Sequence, residues 1–318
     1  MALPEKKQEA TKARLSVARM PESGGWLKRA RENAMERVRQ MGLPDRRDEY
    51  WKYTRPESLV RPSASPAKVF EDPSDPPMFH AFDRLKIVFT DGVFDEDASD
   101  DLALSGVKIE RLSPASFTDI HWARDLYGVL EARGQDPVQR PLAALNTALA
   151  NDGVFIRVTG KPSKPGNLIN NHKSETSDGI LHHVIKLDPG TELTVLENGP
   201  AAARFNKVME VDVADGASFH HVRTMGRDHE RRAVTHIFSR LGTESVFKSF
   251  TLTANGVLTR NECVLELTGD DAVAHVAGAC VGDGDFHHDY CYFVSHDAVI
   301  CESGQVVIKE LRNGATCF

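Results

Sequence analysis

From residue 151 onward the sequence divides into short apolar segments, each about the length of one strand, with turn residues between them. Val154–Val158, Ile180–Leu187, Glu192–Glu197, Ala203–Val213, Ser218–Thr224, Ala233–Leu241, Ser245–Leu252, Val257–Leu267, Ala272–Val281, Phe286–Val294 and Gln305–Leu311 follow one another. Asp188-Pro189-Gly190, Asn198-Gly199, Asp215-Gly216, Asn255-Gly256, Gly269-Asp270 and Gly282-Asp283-Gly284 separate most of them. No helical period survives in this half. Regularly spaced strands with such punctuation mean a sandwich, a barrel or a β-solenoid. A sandwich needs antiparallel hairpins on two-residue turns, whereas a solenoid needs a corner every few residues. The many intermediate breaks favour the solenoid, although periodicity alone leaves the two even. No residue-level repeat accompanies the spacing.

The first 150 residues have a different texture. Residues 1–55 hold 14 Lys/Arg against 8 Asp/Glu, while the chain as a whole carries a net charge of −7. Trp26, Leu27, Ala30, Ala34, Val38 and Met41 recur at helical spacing. Ser23 is the expected cap, Gly42 the expected stop, and Pro44 lies just beyond. Lys28, Arg29, Arg31, Arg37 and Arg39 decorate the other faces, as a solvated surface or a docking site for an acidic partner. Residues 56–80, with six prolines and several serines, resemble a linker. An α/β-looking piece follows: a strand at Leu85–Phe89 ending at Asp91-Gly92, a second at Val107–Leu112, and a helix at Asp136–Ala150. The expected division is 1–150, helical and α/β, and 151–318, the β region.

The net charge argues against a general nucleic-acid binder. No apolar run approaches the length of a membrane span. Met1–Gln8 has no apolar h-region, and five cysteines without any Cys-x-x-Cys read as reduced thiols, so a cytoplasmic protein is expected. A phosphate loop is absent from the sequence.

Histidines occur in adjacent pairs, His182-His183, His220-His221 and His287-His288. Strand neighbours point to opposite faces, so one pair cannot give two ligands to one metal. A metal-dependent, cupin-like β-fold enzyme using these histidines with Glu197 is the alternative reading. Ser295-His296-Asp297 has triad residue types, but adjacency in a strand separates them. Cys280, Cys291 and Cys301 are spaced so that successive coils can bring thiols near one another, against a simpler reading as core residues. Gly282-Asp283-Gly284-Asp285 resembles a calcium turn but occurs once. A carbohydrate-cleaving β-helix would need clustered carboxylates and exposed aromatics, and aromatics are only 7% of the chain. So much β surface without a convincing active site points to a scaffold or interaction protein.

Three stretches carry a family resemblance. Arg47-Asp48-Glu49-Tyr50-Trp51-Lys52-Tyr53-Thr54 resembles the Trp-x-Tyr-Thr segment of the SufD branch of the SufB/SufD family of iron–sulfur cluster assembly proteins. Leu142–Ala148 followed by Asp152-Gly153-Val154 is similar to the same branch. His288-Asp289, Val294–Ala298, Cys301–Gln305 and Lys309–Ala315 resemble the core shared by both branches. The resemblance implies a mostly β, α+β fold: a helical N-terminal region, then a right-handed parallel β-helix. It implies a non-catalytic scaffold subunit in a complex with SufB and the ATPase SufC. No cofactor is expected to be tightly bound, only a transient iron–sulfur cluster at the SufB interface. The family's interfacial histidine lies beyond the matched region, so no catalytic, cofactor-binding or metal-ligating residue is assigned here. His288, His296 and Cys301 match core positions and are expected to be structural. The resemblance also predicts a β-helix incomplete after Leu311, without a polar cap.

Overall fold

The computed structural model describes residues 3–70, 78–115, 117, 121–199, 202–226 and 230–318. Two helices, α1 (Glu5–Val17) and α2 (Gly25–Met41), precede a single turn, α3 (Glu57–Val60). Strands β1 (Leu85–Thr90), β2 (Val93–Phe94) and β3 (Val107–Arg111) come next, then α4 (Leu112–Ala115), α5 (Val129–Arg133) and α6 (Pro141–Leu149). The remainder is strand after strand: β4 (Val154–Val158), β5 (Gly166–Asn171), β6 (Asp178–Leu187), β7 (Glu192–Asn198), β8 (Arg204–Val213) and β9 (Ser218–Met225). After these come β10 (Arg232–Leu241), β11 (Val246–Ala254), β12 (Leu258–Leu267), β13 (Val273–Asp283), β14 (His287–His296), β15 (Glu302–Arg312) and β16 (Thr316–Cys317).

From β4 onward successive strands do not pair with each other. One sheet runs β15-β13-β11-β9-β7-β5-β1-β2 and the other β16-β14-β12-β10-β8-β6-β4-β3. From β6 onward every pairing is parallel, each strand lying beside the one two places earlier. That is a parallel β-solenoid, which resolves the choice between sandwich, barrel and solenoid. Both sheets begin ahead of residue 151, with β1 beside β5 and β3 antiparallel to β4. Leu181, Phe205, Met209, Phe219, Phe247 and Leu265 fill the space between the sheets. Asp91 and Gly92, both at positive φ, turn β1 back into β2, the conformation a two-residue hairpin demands.

The two sheets differ in cover. On β8 all ten residues are buried, one face against the solenoid core and the other beneath α6. On β13 buried and part-exposed residues alternate, because its outer face meets solvent. Helix α6, apolar but for Asn146 and Thr147, is wholly buried, sandwiched between α2 and β8. Asn146 fastens it, donating to the carbonyls of Leu181 at 3.0 Å and Asn206 at 2.8 Å.

The N-terminal expectations need three corrections. Ser23 is not the cap of α2: Gly24 holds that position and no side chain caps it, whereas Gly42, at φ +66°, does stop the helix. Arg31 and Arg37 are not on a solvated face: Arg31 is buried and donates to the Ala150 carbonyl at 2.8 Å, and Arg37 pairs with buried Glu131. Residues 61–70 do not form a free spacer. Arg204 donates to the Arg61 carbonyl at 2.6 Å, and Ala67 N–H to the Glu175 carbonyl at 2.8 Å, so this stretch lies along the solenoid. Pro73, Pro76 and Pro77 lie outside the described residues.

Candidate functional site

The outer face of the helix-covered sheet carries a cluster of buried charge. Outward positions of β12 and β14 place Arg260, Glu262 and Asp289 there, and the turn before α6 adds Arg140. The Glu262 carboxylate accepts from Arg140 Nε at 2.9 Å and from Arg260 Nε at 2.7 Å. Arg260 also donates to Asp289. All four residues are buried. Burial pushes the Glu262 carboxyl up, but Arg260, His236 and Arg140 outweigh it and hold it at about 2. Burial holds His236, beside this carboxylate, at about 4.

The Trp-Lys-Tyr-Thr segment closes over this cluster. The Arg260 guanidinium lies 4.2 Å from the centre of the Trp51 ring, a stacked cation–π contact. The Thr54 hydroxyl donates to Asp289 and lies 2.8 Å from His287 Nε2, while His287 Nδ1 lies 2.7 Å from the Thr316 hydroxyl. Tyr53 stacks on Phe318 with ring centres 4.8 Å apart. The segment that carries the sequence resemblance therefore clasps the far end of the chain through a buried ion network.

Inside the solenoid a second polar group interrupts the apolar core. Lys207 and Arg223 occupy inward positions on β8 and β9, where alternation calls for apolar residues. Lys207 pairs with Glu197, which also accepts from His221 at 3.1 Å. His221 lies 3.0 Å from the Ser249 hydroxyl. Arg223 donates to Thr235 Oγ1 and Asn261 Oδ1, both at 2.8 Å. Asn261 reaches Thr253 at 3.3 Å, and the Tyr290 hydroxyl donates to Thr253 at 2.9 Å. A polar lane thus runs along the solenoid axis from β7 to β14. Burial lowers Lys207 to about 8 and His221 to about 4. Glu197 stays well below the usual carboxylate range, because Lys207, His221 and Arg223 outweigh its burial.

The histidine pairs split between faces as strand geometry requires. His182 stacks on Tyr127 on the helix side and lies 2.8 Å from Glu210, whereas His183 accepts from Val154 N–H inside the solenoid. His220 faces outward near Glu192 and His221 inward. His287 meets Thr54, and His288 is wholly buried within the coil. Among the described residues no three His, Cys, Asp or Glu side chains are placed to hold a metal ion. Ser295 donates to Asp297, while His296 turns to Ser303 at 2.9 Å, so the triad types do not assemble. The Gly-Asp-Gly-Asp turn presents Asp283 to Asn313 at 2.7 Å. Cys280 points inward on one sheet, Cys291 outward on the other, and Cys301 sits at a corner with its thiol toward the Gly269 carbonyl. These three thiols do not converge.

The pattern missed Lys207, Arg223, Arg140, Arg260 and Glu262. The available signal was a long charged residue at the inward phase of a strand, as at Lys207 between Phe205 and Met209.

The fold is thus a parallel β-solenoid with a polar lane along its axis and a helical segment clasped to one face. Residues 169–317 match the family described as SUF system FeS cluster assembly, SufBD core domain. The solenoid from residue 169 is therefore similar to the SufBD core domain, which supports membership of the SufB/SufD family and points to a role in iron–sulfur cluster assembly. None of the curated proteins matches the chain. No helix among the described residues is long and apolar enough to cross a membrane.

Proposed function

We propose that this chain is a SufD-type scaffold subunit, non-catalytic by itself, that works with SufB and the ATPase SufC in the cytoplasm. The match of residues 169–317 to the SufBD core carries the reading. Supporting it, Trp51 and Thr54 anchor on Arg260 and Asp289, which ties the segment resembling SufD to the core. The cluster under assembly is cargo at the partner interface, and no residue of this chain is assigned to it. Division of the chain at about residue 150 is part of the same proposal, with the earlier region serving to cover and brace the solenoid. Trp51 on Arg260 and Thr54 on Asp289 hold geometry rather than perform chemistry, which suits a scaffold. Co-expression with SufB and SufC homologues tests the reading. The expected result is a stable complex recovered through a tag on this chain, with ATP hydrolysis tracking SufC. Recovery of this chain alone, under conditions where SufB and SufC still associate with a SufD of known activity, overturns it.

A further inference from the structure

Cys280 and Cys317 come from β13 and β16, which belong to opposite sheets. Cys280 continues the inward row of Ala274, Val276 and Gly278 and is 1% exposed. Cys317 is the parallel neighbour of His288, which points into the coil, and is itself half-buried. Several contacts bring the two together. A Cβ at Gly282, two residues beyond Cys280, would lie 2.9 Å from the Ala315 side chain. Lys309 is the parallel neighbour of Cys280 and donates from Nζ to the Cys317 carbonyl at 3.4 Å. The thiols themselves interact: Cys317 holds the Cys280 thiol below its ordinary range, and Cys280 drives Cys317 above it.

The other cysteines lack this arrangement. Burial pushes Cys263 up to about 12 and Cys291 up to about 11, so both stay protonated and unreactive. Cys301 directs its thiol to backbone carbonyls.

We propose that Cys280 and Cys317 form a peroxide-reactive dithiol site that closes to an intramolecular disulfide. The Cys280 thiolate attacks one oxygen of a hydroperoxide. The O–O bond breaks, hydroxide leaves with the Cys280 proton as water, and Cys280 becomes a sulfenic acid. The Cys317 sulfur then attacks Cys280, the S–S bond forms, the S–O bond breaks, and a second water departs. Two thiols give up two electrons and the peroxide takes them. Cys280 is 1% exposed, so the reaction calls for a small oxidant that reaches it past half-buried Cys317, not a bulky disulfide reagent. The product would staple the last strand of one sheet to the other across the final coil. This site is independent of the assembly role proposed above.

The test treats the full chain with stoichiometric hydrogen peroxide, then counts alkylatable thiols in denaturant and maps disulfide-linked peptides by mass spectrometry. The expected result is a fall from five free thiols to three, one linked peptide containing Cys280 and Cys317, and full recovery with dithiothreitol. C301S should behave as the parent. C317S, at a half-buried position, should retain Cys280 as a dimedone-reactive sulfenic acid and form no intramolecular bridge. Five thiols persisting after treatment, a bridge between any other pair, or a C317S variant that still loses two thiols overturns the proposal.

Discussion

Two groups of buried charge lie back to back across the same sheet. The outer one, Arg140, Arg260, Glu262 and Asp289, joins elements far apart in the sequence: Trp51 and Thr54 cover it, and the turn before α6 enters it. The inner one, Glu197, Lys207, His221 and Arg223, is contained within the coils, its bonds running from strand to strand. The outer group is therefore a joint and the inner group a filler. Buried ion pairs add little net stability over apolar packing, yet breaking one leaves a stranded charge. The difference predicts that loss of the outer group loosens the N-terminal segment, and that loss of the inner group weakens the solenoid without releasing anything.

The largest effect is expected from Glu262→Ala, which strands the Arg140 charge and leaves Arg260 with Asp289 alone. Denaturant unfolding should show a loss of about 3–5 kcal/mol, and limited proteolysis should cut within residues 40–60. Intact residues 40–60 in a destabilised variant would show that the outer group is not a joint. Acid should act on both groups. Burial holds His221 and His236 at about 4 and His183 at about 3, so the folded chain takes up protons later than the unfolded one. Stability should fall as pH drops from about 6.5 to 4, by about 3 kcal/mol for each of His221 and His236, and keep falling below pH 4 as His183 and the Glu262 carboxylate take up protons. In urea melts across that window, His221→Gln and His236→Gln should each reduce the slope by one proton. Lys207→Met ranks next, at about 2 kcal/mol, because His221 can take a proton and keep Glu197 paired. Its N-terminal segment should resist protease as the parent's does, and NMR titration should show His221 moving toward neutral pH. The smallest change is Lys28→Gln at an exposed i,i+4 pair with Glu32, expected within about 0.5 kcal/mol by thermal melting.

How much of this could be read beforehand depended on how many faces a segment buries. Strands with one wet face, such as β9 and β11, showed their alternation and were placed closely. Strand β5, Gly-Asn-Leu-Ile-Asn-Asn, was missed, because three asparagines in six residues hide the pattern. Helix α1 was missed for the related reason that its apolar content is low; Thr11 and Arg14, not apolar residues, are what it buries. Arg31 read as a surface residue because nothing local reveals that α6 and the Ala150 carbonyl will lie over it. In the site the histidine pairs were legible, since strand geometry fixes where neighbours point. The buried ion groups were not, since each joins residues dozens of positions apart.

Local signals along the chain dictate that the second half is β, where its corners fall, and that neighbouring histidines face apart. These follow from backbone period and turn chemistry, which act over a few residues. Long-range packing alone sets the rest: from β6 onward each strand pairs with the one two places earlier, Trp51 and Thr54 meet Arg260 and Asp289, and Lys207 and Cys280 point into a closed core. Those pairings bring together residues far apart along the chain, and stacking of the coils sets them.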